Sequence, residues 1–169
     1  MRKVLIIDTS ILCVWLDVPG KTTCGPDHDR WDRPRVDKKI HVETQAGTTF
    51  VLPLASIIET GNHIAQAPHS RKERADALAD LIRQSADELT PWAAFAHQSD
   101  LWSPAKLKTL ADTWPALAAK KLSLGDITIK DVAEYYASSY RVEILTGDQD
   151  LKGYEPPAPP EIPRRRRPR

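Results

Sequence analysis

The chain has 169 residues, 24 Lys and Arg against 23 Asp and Glu, and 41% hydrophobic residues. That length and apolar share suit one domain with one core, and they exclude a chain disordered throughout. No run reaches 18 apolar residues, so hydropathy predicts no membrane span. The near-neutral total hides an asymmetry. From Pro156 onward the last fourteen residues carry five Arg and one Glu, and the rest holds 19 Lys and Arg against 22 Asp and Glu, a net charge of −3. The expected organisation is therefore a slightly acidic domain over residues 1–155 and a basic, Pro- and Arg-rich disordered tail over 156–169.

In chain order, Lys3 to Ile7 reads as a buried strand, a short apolar run rich in β-branched residues. Asp8 follows as a candidate cap for a helix from Thr9 to Leu16. Arg2 and Lys3 ahead of these apolar residues imitate a signal peptide, but Asp8 interrupts the apolar region and no A-x-A site follows. Residues 18–35, with Pro19, Gly20, Gly25, Pro26 and Pro34, read as a loop or insertion, and a helix from about Val36 to Gln45 is expected next. Thr48 to Leu54 is a second strand. Ser56 then opens a helix to about Ala67, which Pro68 ends. Ser70 opens another, with Leu78, Leu81, Ile82, Ser85 and Leu89 at helical spacing. Residues 90–122 are expected to be helical and rich in loops. Ser123 opens a helix to about Ser139, with a stripe at Ile129, Val132, Ala133, Tyr136 and Tyr140. Arg141 to Thr146 is the third strand. Strands separated by helices predict an α/β fold with a mainly parallel sheet.

Two cysteines, Cys13 and Cys24, form no CxxC pair, which fits free thiols in a reducing cytoplasm. Cys24 and His28 lack a second ligand pair at zinc spacing. The five histidines show no metal spacing either, although His63 falls one turn after Glu59.

The informative residues are acids. Asp8 ends the first strand, and Asp148 follows the last in "VEILTGDQD". Glu59 is expected in the first turn of the helix after the second strand, and Asp126 in the first turn of the helix opened by Ser123. Sites in open α/β sheets lie outside the carboxyl ends of the strands, where three of these acids fall. Each also has a structural explanation. Asp8 suits an N-cap, Ser56-x-x-Glu59 and Ser123-x-x-Asp126 match the capping box, and Asp148 suits a turn. Ser70-x-x-Glu73 is a third such box. At 100° per residue Asp126 lies about 60° from the centre of its buried stripe, whereas Asp131 and Glu134 point to solvent and Glu59 lies opposite the Ile57, Ile58, Ile64 and Ala65 stripe. Four gathered carboxylates repel without a cation, and oxygen ligands of this kind suit Mg²⁺ or Mn²⁺. One or two such ions can drive phosphoryl displacement without a nucleophilic side chain.

Taken in order, "IIDTSIL", "SIIETGNHIA", "LSLGDITIKDVA" and "ILTGDQDL" resemble the four acidic motifs of the PIN-domain family of metal-dependent ribonucleases, across most of residues 3–151. The resemblance implies a three-layer sandwich, with a central mainly parallel sheet flanked by helices. It implies cleavage of single-stranded RNA with Mg²⁺ or Mn²⁺. By position, Asp8, Glu59, Asp126 and Asp148 would be the catalytic metal ligands and Ser10 and Thr146 supporting residues, with Asp150 in an outer contact or a turn. It also implies kinship with VapC-type toxins, which form homodimers and are silenced by an antitoxin protein.

The chain departs from this pattern in the charged stretch 18–35 and in its tail. Arg30, Trp31, Arg33 and Arg35 read either as RNA contacts or as a solvated loop. The tail reads as a phosphate-binding arm, a contact for an acidic partner, or a solvated end. The alternative function is a PIN-like module without activity that binds RNA or protein. A dehalogenase-type phosphatase would need D-x-D after the first strand, and the sequence there is Asp8-Thr9-Ser10.

Overall fold

The apolar run at the amino terminus forms strand β1 (Lys3–Ile7), and the rest of the chain is arranged around it. The structure, a computed structural model, describes residues 2–158. The predicted tail from Pro156 is described only to Ala158, and its five arginines lie outside the described residues. After β1 come α1 (Thr9–Trp15), a hairpin of two short strands, β2 (Thr23–Cys24) and β3 (Trp31–Asp32), and α2 (Arg33–Gln45). There follow β4 (Thr49–Val51), α3 (Leu54–Gln66), α4 (Arg71–Ala86), a 3₁₀ helix (Phe95–Trp102) and α5 (Pro104–Ala118). The chain continues through α6 (Leu124–Ala137), β5 (Arg141–Leu145) and α7 (Gln149–Lys152).

The main sheet has the order β4-β1-β5 and is parallel throughout, with Ile6 opposite Val51 on one side and Ile144 on the other. Alternation along β1 divides the core into two layers. Leu5 and Ile7 pack with Ile11, Leu12, Val36, Ile64 and Leu78 from α1 to α4. Val4 and Ile6 pack with Ile129, Val132, Ala133 and Tyr136 of α6 and with Leu151 of α7. The architecture is thus α/β, a three-stranded parallel sheet flanked by helices, as expected. Both edges of the sheet are occupied. Residues 91–93 run along β4, with Phe50 N donating to Pro91 O and Ala93 N to Phe50 O, each at 2.8 Å. On β5, Ile144 N donates to Glu155 Oε2 and Ile144 O accepts from Lys152 Nζ, both at 2.9 Å. Among the described residues no helix is long and apolar enough to cross a membrane.

Several boundaries depart from expectation. The stretch 18–35 is more than a loop, because β2 and β3 pair antiparallel and pack Cys24 and Trp31 onto the core. Helix α2 starts at Arg33 rather than Val36. Asp32 caps it by accepting from Arg35 N, and Pro34 sits in the first turn, where a missing N–H costs nothing. Strand β4 is shorter than predicted, and α3 begins at Leu54 behind Pro53, so Ser56 does not open it. Ser70 precedes α4 in a left-handed conformation and makes no side-chain cap, so Ser70 and Glu73 form no capping box. Leu89 lies past the end of α4 and is exposed.

At the amino end of the sheet, the carboxylate of Glu43 accepts from Lys3 Nζ at 2.5 Å, Lys39 Nζ at 2.8 Å and Thr48 Oγ1 at 2.6 Å. Burial alone would push Glu43 up, but these bonds outweigh it and hold its pKa near 2, from an ordinary 4.5. A depressed carboxylate stabilises the fold above its unfolded pKa, and that contribution fades as pH falls through the folded one. Glu43→Gln should therefore lower the urea midpoint at pH 7, with the gap to the parent narrowing between about pH 4.5 and 2. An equal midpoint at pH 7 would refute this account of the network.

Candidate active site

Parallel strands β1 and β5 end side by side, and the residues that follow each of them meet. Asp8 is 5% exposed and caps α1. Its Oδ2 accepts from Ser10 N at 3.2 Å, Ser10 Oγ at 2.6 Å and Thr146 Oγ1 at 2.8 Å. The two hydroxyls are themselves fixed. Ser10 Oγ accepts from Gly147 N at 3.0 Å and Thr146 Oγ1 from Asp148 N at 2.9 Å. Ser10 and Thr146, expected as supporting residues, thus join the two strand ends through one carboxylate oxygen. Burial pushes Asp8 above the ordinary carboxylate range, with the bonds from Ser10 and Thr146 working against it.

Glu59 sits beside this network. It lies in the second turn of α3, not the first, and takes no part in a cap with Ser56, whose buried hydroxyl has no hydrogen-bond partner. Its Oε2 accepts from Thr9 Oγ1 at 2.8 Å. Its carboxylate also packs against Gly125 of α6 so closely that a Cβ there would lie 2.1 Å from Oε1. The expectation that Glu59 lies opposite a buried stripe is corrected in part, since Ile58 of that stripe is 53% exposed while Glu59 is half-buried.

Like Asp8, the other two acids serve helix starts. Asp126 Oδ2 accepts from Ser123 N at 2.9 Å and Ser123 Oγ at 2.7 Å, completing the expected capping box. Asp148 is exposed, and its Oδ1 caps α7 by accepting from Asp150 N at 2.8 Å and Leu151 N at 3.2 Å. Asp150 contributes its backbone to that turn. Asp131, expected in solvent, is half-buried, and burial raises its carboxyl. Burial and the charge of Lys21 lower His63, with the charge of Glu59 acting in the opposite sense.

All four acids are oxygen donors of the kind that Mg²⁺ and Mn²⁺ prefer. Among the described residues, however, no three His, Cys, Asp or Glu side chains are grouped to hold a metal ion. Three of the four carboxylates are engaged at helix starts, Asp8 at α1, Asp126 at α6 and Asp148 at α7.

The sequence reading missed three neighbours of the site. Thr9 holds Glu59. Gly125 leaves it room, and a glycine inside a helix's first turn is a visible signal, since most residues form helix better there. Gly147 admits the hairpin: a Cβ on it would lie 2.6 Å from Cys24 Sγ and 2.8 Å from Gly25 N. The stretch 18–35 therefore packs against the loop that carries Asp148. Its arginines are engaged locally. Arg30 pairs with Asp27, Arg33 with Asp37, and Arg35 with Asp29 while lying over the Trp31 ring at 3.8 Å.

A carboxyl raised by burial favours the fold while protonated, and that contribution is lost as pH rises through its raised pKa. Asp8→Asn removes the buried charge and keeps an acceptor for Ser10 and Thr146. The variant should melt above the parent at pH 7, and the gap should close on acidification to about pH 4. Calorimetry across that range checks it, and a variant that melts lower at pH 7 contradicts the buried charge. Comparison of the chain with protein-family models, with curated proteins and with solved structures found no match.

Proposed function

We propose that the chain is a metal-dependent endoribonuclease that hydrolyses phosphodiester bonds of single-stranded RNA at the carboxyl edge of its sheet. The observation that carries this reading is the meeting of Asp8 with the Thr146–Gly147–Asp148 segment, 138 residues away in sequence, through a single buried carboxylate oxygen. That is where open α/β sheets place their sites.

Mg²⁺ or Mn²⁺ fits the donor chemistry. Asp8 has only neutral hydrogen-bond donors, and neither it nor Glu59 belongs to any ion pair formed among the described residues. Asp8, Glu59, Asp126 and Asp148 would be the residues to hold the ion. When bound, it would supply charge to the scissile phosphate and a water able to attack at neutral pH. The chain's own part is orientation. Ser10 and Thr146 fix the Asp8 carboxylate, Thr9 holds Glu59, and Gly147 keeps the loop against the hairpin. Attack on phosphorus breaks the bond to the 3′ oxygen and leaves a 5′-phosphate and a 3′-hydroxyl.

The reading extends to a cytoplasmic toxin of a toxin–antitoxin pair, a homodimer with an inhibitory antitoxin protein as partner. Its support is the order and local setting of the four acidic motifs. A second reading, an inactive PIN-like module that binds RNA or protein, is favoured by the absence of a three-acid group among the described residues.

Purified protein incubated with end-labelled unstructured RNA in Mn²⁺, Mg²⁺ or EDTA separates the two. The nuclease reading expects cleavage only with metal, and a loss of about 100-fold or more in Asp8→Asn and Asp148→Asn. Binding without cleavage in any metal would favour the module. Cleavage that persists in both variants would place the activity elsewhere. Induced expression should also arrest bacterial growth in the parent and not in Asp8→Asn; equal growth of the two removes the toxin extension.

A further inference from the structure

The opposite end of the sheet from the candidate active site carries a cavity that has no part in the site described above. Strand β5 begins at Arg141, directly after Tyr140, so this end lies a whole strand away, about 16 Å. The cavity encloses about 270 Å³ at the carboxyl end of α6, and is lined by His97, Tyr135, Tyr136, Ser138, Ser139 and Tyr140. That is just below the roughly 300 Å³ at which ligand pockets begin, so it suits a single flat ring system.

Four of the six lining residues carry aromatic rings. Tyr135 meets Tyr136 edge to face at 5.2 Å, and Tyr136 meets Tyr140 at a tilt at 6.2 Å, so none of these three rings is stacked parallel on another. Tyr136 is buried, whereas Tyr135 is 39% exposed. Open aromatic faces accept an unpaired base, because every base has a π face of its own. Ser138 Oγ donates to Tyr135 O at 3.0 Å, and Ser139 Oγ lies 3.5 Å from it. The Ser139 hydroxyl keeps hydrogen-bonding capacity for the polar edge of a base.

Charge decides which flat ligand fits. Arg141 N donates to Arg2 O at 3.1 Å, so the two arginines lie side by side next to Tyr140 in the chain. Both are exposed, and neither belongs to an ion pair formed among the described residues. The one acid of β5, Glu143, is already held by Lys3 and Lys39. Aromatic rings also suit a Pro-rich segment, and this chain has Pro-Pro-Ala-Pro-Pro at 156–160. That segment leads into four arginines at 164–167, which two unpaired cations repel. A base flanked by phosphates is attracted by the same cations.

We propose that this cavity receives one unpaired base of a single-stranded RNA, stacked on the tyrosines, with Arg2 and Arg141 beside its flanking phosphates. The inference shares with the nuclease reading only the class of partner, and it needs neither metal nor cleavage.

The test titrates the full chain, in EDTA, into a uridine hexaribonucleotide that carries 2-aminopurine at one position. Stacking is read as loss of that base's fluorescence, which the parent should quench. Tyr135→Ala should bind about 5-fold more weakly or worse, while Tyr135→Phe, which keeps the ring, should bind as the parent does. Both should melt near the parent temperature, because Tyr135 lies at the surface. Arg141→Gln should make the slope of log K against log salt shallower by about 0.7. The 5′-monophosphate of 2-aminopurine riboside should bind more weakly than the strand. A parent that leaves the base unquenched overturns the inference, as does parent-like affinity in Tyr135→Ala. Equal affinity for the monophosphate would mark a mononucleotide pocket, and displacement of the RNA by a peptide of residues 155–163 would give the cavity to a Pro-rich partner; each of these also overturns it. EDTA silences metal-dependent cleavage, so a failure here leaves the nuclease reading intact, and a failure of that reading leaves the binding at this cavity intact.

Discussion

Asp8 puts a carboxylate where the central strand leaves the sheet, and every donor that reaches it among the described residues is neutral. A buried charge without a cationic partner is costly, and its neighbours have to be arranged to bear it. They are arranged in pairs. Each hydroxyl that donates to Asp8 also accepts a backbone N–H, Ser10 from Gly147 and Thr146 from Asp148. The segment after β5 is thereby tied to the start of α1. Gly147 in turn lets the hairpin close on that segment. One carboxylate thus sets the relation of two strands, two helices and the hairpin.

The two ends of the same sheet treat charge differently. At the amino end, Lys3, Lys39, Glu43 and Glu143 form a mutually compensated group that stabilises the fold at neutral pH. At the carboxyl end, Asp8 and Glu59 meet only neutral donors among the described residues. The buried Asp8 charge, without an ion-pair partner among the described residues, is a local cost that core packing has to offset.

Strand β1 was legible because a strand buried on both faces reads as a continuous apolar run, whereas in β5 Arg141 and Glu143 alternate with the buried Val142 and Ile144. The starts of α1 and α6 were legible because Asp8 and Ser123 do cap them. The other cap signals misled. Ser56 and Ser70 carry the right residue three positions on, but the local pattern does not say where the chain first turns helical, and Pro53 starts α3 earlier. Pro34 reads as a breaker until its place in a first turn is known. Strands of two residues, such as β2 and β3, show no alternation at all. At the site, the meeting of Asp8 and Asp148 follows from parallel strand ends. The setting of Glu59 does not, because α3 contacts α1 and α4 as well as α6 and a single-stripe reading allows for one neighbour.

The covered sheet edges bear on how this molecule can meet another. Residues 91–93 already take the hydrogen bonds of β4 at Phe50, and Lys152 and Glu155 close β5 at Ile144. At these two positions, among the described residues, the backbone groups that an added strand would use are already taken. Strand addition at Phe50 or Ile144 would first have to displace residues 91–93 or the Lys152 and Glu155 side chains, so both edges carry a barrier to pairing with an arbitrary extended segment.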